Sequence, residues 1–444
     1  MRLSCPIVCI LVFIILSVEI AAAQMPTSVK HSTIRFESPH AGKETLILPY
    51  AFSSETMGLT FGVGGMMKGY GQEQLSFAST IYAGTNNDLE QKDDAIGMLG
   101  AMWDWRLPYT NRFYLTAMAS AGYYPLKRAY SAPAFDPSGP RPGSNNSRAD
   151  EYIEVGGTDN WLDIRLEYVL PIGAAENQAM MTYKLKNGML ASEPTGGGRW
   201  DPFSTGVTNV LLRTYNRYHE YEFNPGSLQR TIHPLQLALS YDNTDFPTNP
   251  SCGSRQFIGV THDFAMLESN QTWTFWELEA SKFFSLGDTD HARQRVLAFN
   301  GWTGNTPSWE ETTLDNGLIK VNHAPPYYEG ATLGGFYRLR AYPFSRFNDR
   351  SVIYSTAEYR YTPKWNPIAE IRWLRFLKLD FLQVVGFVEG GRVARAYTLS
   401  ELASDWKSDI GTGVRALVAG SVIRLDAAVS KEGASFWFMV GHPF

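Results

Sequence analysis

Apolar and polar positions alternate with period two along most of the chain. In 162–170, Leu162, Ile164, Leu166, Tyr168 and Leu170 share one side, and Asp163, Arg165 and Glu167 share the other. In 274–281, Thr274, Trp276, Leu278 and Ala280 oppose Glu277, Glu279 and Ser281; in 422–430, Ile423, Leu425, Ala427 and Val429 oppose Arg424, Asp426 and Ser430. Successive side chains of a strand point to opposite faces, so this is the pattern of strands with two unlike faces. Between turn signals it predicts strands over 44–53, 57–66, 73–84, 93–106, 110–124, 160–171, 177–187, 230–243, 255–266, 271–284, 293–304, 350–362, 379–393, 408–418, 421–430 and 435–444. About 16 antiparallel strands, an even number, leave both ends of the sheet on one side. Short turns such as Leu107-Pro108-Tyr109-Thr110, Pro171-Ile172-Gly173 and Ala419-Gly420 then fall on that side. The long connections, about 125–159, 188–229 and 305–349, fall on the other. Two-faced strands fit either a soluble sandwich with its apolar faces inward or a membrane barrel with them outward.

Composition narrows the choice. The 444 residues include 25 Phe, 23 Tyr, 12 Trp and 39 Gly, with only 19% charged. Disordered chains are poor in aromatics and rich in charge, so disorder is excluded. After the N-terminus no run of about 18 apolar residues occurs, which excludes a helical membrane bundle. A net charge of −5 lacks the basic excess of a nucleic-acid binder. Arg2, the apolar stretch 7–16 and Ala21-Ala22-Ala23 together read as a secretory signal peptide over 1–23. A short periplasmic segment, 24–43, and one barrel domain, 44–444, follow. Past the leader only Cys252 remains, so no intrachain disulfide framework is expected. Export, aromatic richness and alternation together favour an all-β, transmembrane antiparallel barrel with lipid outside and a polar lumen.

The final strand places Phe436, Phe438, Val440, His442 and Phe444 on one face. It resembles the C-terminal sorting signal of bacterial outer-membrane barrels, with His442 and Pro443 as departures. Pro443 has no backbone donor and is expected to end the ladder. The run Gly334-Gly335-Phe336-Tyr337-Arg338-Leu339-Arg340-Ala341-Tyr342 resembles the lumenal loop motif of the bacterial surface antigen superfamily. That superfamily holds the Bam and Tam barrel-assembly proteins and the two-partner secretion transporters. Four more stretches are similar to its pattern and occur in its order. They are Tyr50–Gly58 as the first hairpin, Asp242–Gly253 as the turn after the eighth strand, Phe387-Val388-Glu389-Gly390-Gly391-Arg392, and Ser408-Asp409-Ile410-Gly411-Thr412-Gly413-Val414-Arg415. The resemblance spans 44–444. Ala341 stands where the family usually has glycine, and Glu389 where it has aspartate. Residues 24–43 are too few to fold a POTRA domain, so a barrel without one is expected. The family implies a sixth extracellular loop folded into the lumen and pinned there by its arginine.

The residues themselves leave two readings of Arg340: a solvent-exposed loop position, which they favour taken alone, and an inward, pinned loop, which the flanking motifs favour. Gln383, Val385, Phe387 and Glu389 share one face of their strand, and Asp409, Gly411, Gly413 and Arg415 share one face of the next. An inward Arg340 needs partners, because an unpaired buried charge is costly. Glu389 and Asp409 are inward carboxylates that a guanidinium can engage with two parallel bonds. Gly411 and Gly413 leave room on that wall for another backbone to approach.

Chemistry of other kinds is sparse. The eight histidines show no metal spacing, and His219-Glu220 lacks the second histidine of a zincin. No Gly-x-Ser-x-Gly elbow and no phosphate-binding loop occur, so no catalytic residue, metal or cofactor is expected. Three function classes remain: a barrel that translocates or inserts protein, a passive or plugged pore, and, last, a barrel enzyme. Expected surroundings are outer-membrane lipids and lipopolysaccharide in a Gram-negative bacterium. Expected partners are the barrel-assembly machinery during insertion, an unfolded or secreted client, and a separate periplasmic POTRA-type protein. No nucleic acid is expected.

Overall fold

A computed structural model describes residues 34–37, 43–54, 57–85, 94–222, 227–366, 379–418 and 421–444. The leader over 1–23 lies outside them, as do Glu55, Thr56, Ala419 and Gly420 of the quoted hairpin and turn.

Among the described residues, sixteen strands, one of them in two pieces, form a single antiparallel sheet rolled into a barrel. In chain order they are β1 (Glu44–Ser54), β2 (Gly58–Lys68), β3 (Ser76–Thr85), β4 (Ala95–Arg106), β5 (Phe113–Ala129) and β6 (Ile153–Val169). Next come β7 (Val207–Glu222), β8 (Ser227–Ile232 and Pro234–Asp242), β9 (Gly253–Asp263), β10 (Trp273–Ser285) and β11 (Ala292–Asn305). The last five are β12 (Ser351–Pro363), β13 (Leu379–Ala394), β14 (Lys407–Val418), β15 (Ser421–Val429) and β16 (Ala434–Val440). Each pairs with the next, and both pieces of β8 pair with β7. The break in β8 falls at His233, before Pro234, which has no N–H to give the ladder. The His233 N–H goes instead to Asp263 Oδ2 at 2.9 Å. The described ladders join every consecutive pair; one between β16 and β1 is not among them.

The faces are those of a membrane barrel. On β8, Leu235, Leu237 and Leu239 are 40%, 60% and 43% exposed, while Gln236, Ala238 and Ser240 between them are buried. On β6, Leu162 is exposed, and Asp163, Arg165 and Glu167 are buried. A soluble sandwich would bury the leucines and hydrate the charges. The reverse arrangement is stable only with lipid outside and hydrogen-bond partners inside.

Two sequence expectations are corrected here. The strand expected over 177–187 is not in the barrel; Met181–Lys186 belongs to a small separate sheet with Ile34–Glu37 and Met189–Leu190. The region 188–229, expected as a long loop opposite the chain ends, contains β7 instead. The strand count is unchanged, but the long connection, 170–206, moves to the end that carries the short turns. There Met181, Tyr183 and Leu185 turn their buried face onto Phe246, Phe381, Leu417 and Val422 and cover that mouth of the barrel. Period two identifies a strand, not the sheet it joins.

Candidate functional site

In the connection between β11 and β12, residues 306–350, a hairpin of Glu310–Thr313 with Ile319–Asn322 stays largely exposed, and the part from Ala324 onward is mostly buried and folds back into the lumen. Its base closes through the short ladder Thr332–Leu333 against Phe347–Asn348. Its tip needs unusual backbone: Gly334 and Gly335 have φ of 108° and 107°, and Leu339 has φ of 54°. A Cβ on Gly334 would lie 2.2 Å from the Pro343 carbonyl oxygen, so glycine is required both by conformation and by space. Leu339 is buried in a left-handed conformation that a branched residue adopts at a cost, and this bend aims Arg340 at the wall. Ala341 is not among the left-handed residues.

Arg340 has no solvent exposure. Its Nε donates to Glu389 Oε1 on β13 at 3.1 Å, Nη1 to Asp426 Oδ2 on β15 at 2.7 Å, and Nη2 to Glu358 Oε1 on β12 at 3.0 Å. Its guanidinium carbon sits 3.4 Å from the centroid of the Phe387 ring. Its backbone N–H donates to Glu389 Oε2 at 2.6 Å, and its carbonyl accepts from Trp437 Nε1 on β16 at 2.6 Å. Asp409 on β14 accepts the Ala341 N–H at 2.9 Å, Ser435 Oγ donates to the Ala341 carbonyl at 3.2 Å, and the Tyr342 hydroxyl donates to the Ser408 carbonyl at 3.2 Å. Five consecutive strands therefore grip three consecutive loop residues. Burial alone would lower the Arg340 pKa. Glu389, Asp426 and Glu358 outweigh burial and hold its proton well above the ordinary guanidinium value.

The arrangement extends along the wall. Arg415 Nη2 donates to Glu358 Oε1 at 2.7 Å, Arg360 Nε to Glu358 Oε2 at 2.9 Å, and Arg424 to both Asp426 and the Phe336 carbonyl. Arg340, Arg360, Arg415 and Arg424 thus face Glu358, Glu389, Asp409 and Asp426, so the formal charges balance. Charges this dry persist only when each has partners.

Gly411 and Gly413 do not admit the loop backbone. A Cβ on Gly411 would lie 2.2 Å from Phe387 Cζ, and one on Gly413 would lie 2.2 Å from Asp426 Oδ1. Phe387 and Asp426 are their direct neighbours on the adjacent strands. The glycines let those two side chains lie across β14, where they reach Arg340.

A second anchor was not visible in the sequence. On the wall formed by β6 and β7, Arg217 donates to Asp159 Oδ2 at 2.9 Å, and His219 Nε2 lies 2.8 Å from Asp159 Oδ1. The loop segment Tyr327-Tyr328-Glu329 docks there. Tyr328 stacks on His219 with ring centroids 4.1 Å apart, Tyr327 and Tyr221 hydroxyls are 2.7 Å apart, and Tyr215 donates to Glu329 Oε2 at 3.1 Å. The signal was the inward sequence Arg213, Tyr215, Arg217, His219, Tyr221, masked because the outward Asn216, Tyr218 and Glu220 are also polar. A third contact runs from Arg338 to Glu279 on β10 at 2.9 Å, with the guanidinium 3.8 Å above the Trp302 ring. From outside, the 130–152 loop braces the plug through Arg141, which donates to Asn348 Oδ1 at 2.9 Å, and Ser147, which accepts from Arg346 at 2.8 Å.

The chain end also departs from expectation. Phe436 and Phe438 are exposed on the outer face, and β16 ends at Val440. Gly441 then turns at φ of 88°, and His442 and Phe444 are buried inside. Phe444 packs on Phe283, Val296 and Ala298, with Arg360 5.0 Å from its ring centroid; His442 Nδ1 accepts from Arg415 at 2.8 Å. Phe444 is therefore not on the lipid face with Phe436 and Phe438, because Gly441 breaks the period.

Among the described residues no group of three or more histidine, cysteine, aspartate or glutamate side chains is placed to hold a metal. No protein-family model and no curated protein matches the chain. Solved structures similar to it include three of low sequence identity. BamA from Haemophilus ducreyi lacking POTRA domains 1-3 is 10% identical with a TM-score of 0.45, over 90% of this chain and 70% of that one. CdiB from Acinetobacter baumannii is 9% identical with a TM-score of 0.46, over 89% of this chain and 59% of that one. CdiB from Escherichia coli is 10% identical with a TM-score of 0.49, over 89% of this chain and 61% of that one. This chain thus spans about three fifths of the two CdiB chains.

Proposed function

We propose that this protein is a barrel of the Gram-negative outer membrane that passes polypeptide across that membrane or inserts it there, with the loop 306–350 as its closed-state plug. The observation that carries the reading is Arg340. A loop tip is held in the lumen by ion pairs to three strands, contacts that are all non-covalent. An open diffusion pore has no use for such a plug. The motif resemblance supports a polypeptide as cargo, either a secreted or an unfolded client, with a separate POTRA-type protein to deliver it. Lipopolysaccharide and outer-membrane lipids would surround the barrel, and the barrel-assembly machinery would insert it.

A second reading is a permanently plugged structural barrel. It is favoured by the anchoring of the same loop on two further walls, at Asp159 and at Glu279. Purified protein in liposomes, offered an unfolded barrel precursor or a secreted polypeptide, separates the two. Acquired protease resistance of the precursor, or entry of the polypeptide into the lumen by cross-linking to loop cysteines, supports the first reading. Wild-type and Arg340→Ala proteins that both show neither effect leave the structural barrel.

A further inference from the structure

The plug and the inward tail meet at one carboxylate. Glu358 Oε1 accepts from Arg340 Nη2 at 3.0 Å and from Arg415 Nη2 at 2.7 Å, while Oε2 accepts from Arg360 at 2.9 Å. Both wall arginines also hold the tail: Arg415 Nη1 donates to His442 Nδ1 at 2.8 Å, and Arg360 sits 5.0 Å from the centroid of the Phe444 ring. Loop tip and tail are thus one shared acceptor apart, although they enter the lumen from opposite ends of the barrel.

We propose that Glu358 is the residue that positions both plugs, so that withdrawal of Arg340 also releases the tail 441–444. The cause is charge balance. Four buried arginines face four carboxylates, and removing Arg340 leaves Glu389 without a guanidinium and Asp426 with Arg424 alone in a dry site. Arg415 is drawn into the gap, because it already shares the Glu358 oxygen with Arg340. That movement takes Nη1 away from His442, and the tail loses its bond to Arg415. Ser435 and Trp437 of β16 lose their bonds to the loop carbonyls in the same step. The inference takes from the proposed function only that the loop is the moving part.

The test uses the full chain in detergent, with Cys252→Ser as background. A reporter cysteine is placed in the tail (Pro443→Cys) or in the loop (Pro343→Cys), and its reaction rate with a water-soluble maleimide is followed. Arg340→Ala is expected to speed labelling of the tail reporter at least tenfold. Arg338→Ala, which removes the tie to Glu279 and the contact with Trp302 but keeps Arg340, leaves that rate at the wild-type value. Arg415→Gln speeds tail labelling while the loop reporter stays slow, and adding Arg340→Ala to it produces little more. A loop reporter that speeds up in Arg340→Ala beside an unchanged tail reporter overturns the coupling alone. A loop reporter that stays protected overturns the moving plug itself and the coupling with it. If Arg340→Ala yields no heat-modifiable folded band, Arg340→Lys and Glu358→Gln take its place. Each should then free the tail more than Arg338→Ala does; failure of both rejects the idea.

Discussion

The carboxylate of Asp409 accepts the main-chain N–H of Ala341 at 2.9 Å and leaves the Arg340 guanidinium to Glu389, Asp426 and Glu358. The wall thus holds the loop by backbone and side chain separately, and the two grips should fail separately. Asp409→Asn keeps an oxygen to accept the Ala341 N–H and should cost about 1 kcal/mol or less. Glu389→Gln removes a charge that faces both the Arg340 N–H and its Nε, and should cost several times more. Urea titration of the folded barrel in detergent compares them, and equal losses would contradict the division.

Arg340→Ala leaves Glu389 without a guanidinium in a dry site and takes one partner each from Asp426 and Glu358, and should cost about 3–5 kcal/mol. Arg340→Lys keeps the charge but cannot reach three acceptors in one plane, so its loss is smaller. Both should raise single-channel conductance in planar bilayers, the alanine variant more. Two variants that conduct like wild type would show that the loop is held elsewhere.

Gly411→Ala and Gly413→Ala place a Cβ against Phe387 and Asp426 respectively, both at 2.2 Å. Each should destabilise by about 1–3 kcal/mol as the displaced side chain shifts. Gly386→Ala on the outer face, where an added Cβ meets nothing within 4 Å, serves as the control. If all three behave alike, the cost comes from the strand rather than from the packing.

Ala341→Gly should be nearly neutral, since that position needs no left-handed backbone. Leu339→Gly relieves a φ of 54° but empties a buried site. Loss of a buried leucine side chain costs about 2–5 kcal/mol, more than the roughly 1–3 kcal/mol of strain that it releases, so a net loss is expected. A stabilised Leu339→Gly barrel would mean that strain dominates.

Burial pushes the Glu329 carboxyl above the ordinary carboxylate value, against the pull of Arg217 and Arg213. The folded protein therefore binds that proton more tightly than the unfolded chain. Stability gains as pH falls from the raised value toward the ordinary one, and it is lost again as pH rises. Glu329→Gln should flatten this part of the pH–stability profile while leaving the Arg340 grip intact. An unchanged slope would place the titration elsewhere.

Much of this was legible because alternation is a local property. Fifteen of the sixteen barrel strands, the lumenal side of Glu389 and Asp409, and the inward loop arginine all follow from period two and a short motif. Asp426 and Glu358 were missed as partners of Arg340, although Asp426 already stood on a recognised polar face. Alternation says that a side chain faces the lumen, but not how far across it a loop reaches. β7 was missed because its outward residues above the lipid are polar too, so its two faces read alike. The strand at Met181–Lys186 was placed in the barrel because a six-residue alternation is the same in any half-buried sheet. The turn at Gly441 was passed over because one left-handed glycine redirects a strand without altering its hydrophobic pattern.

The inward turn at Gly441 bears on how the protein is handled. An affinity tag, fluorophore or cross-linker fused after Phe444 would begin between Phe283 and Arg360, inside the barrel. Such a fusion would wedge the turn-side mouth open or pull the tail out, and its conductance and stability would be those of a different state. The exposed stretch 136–140 in the loop between β5 and β6 is a better place for a label.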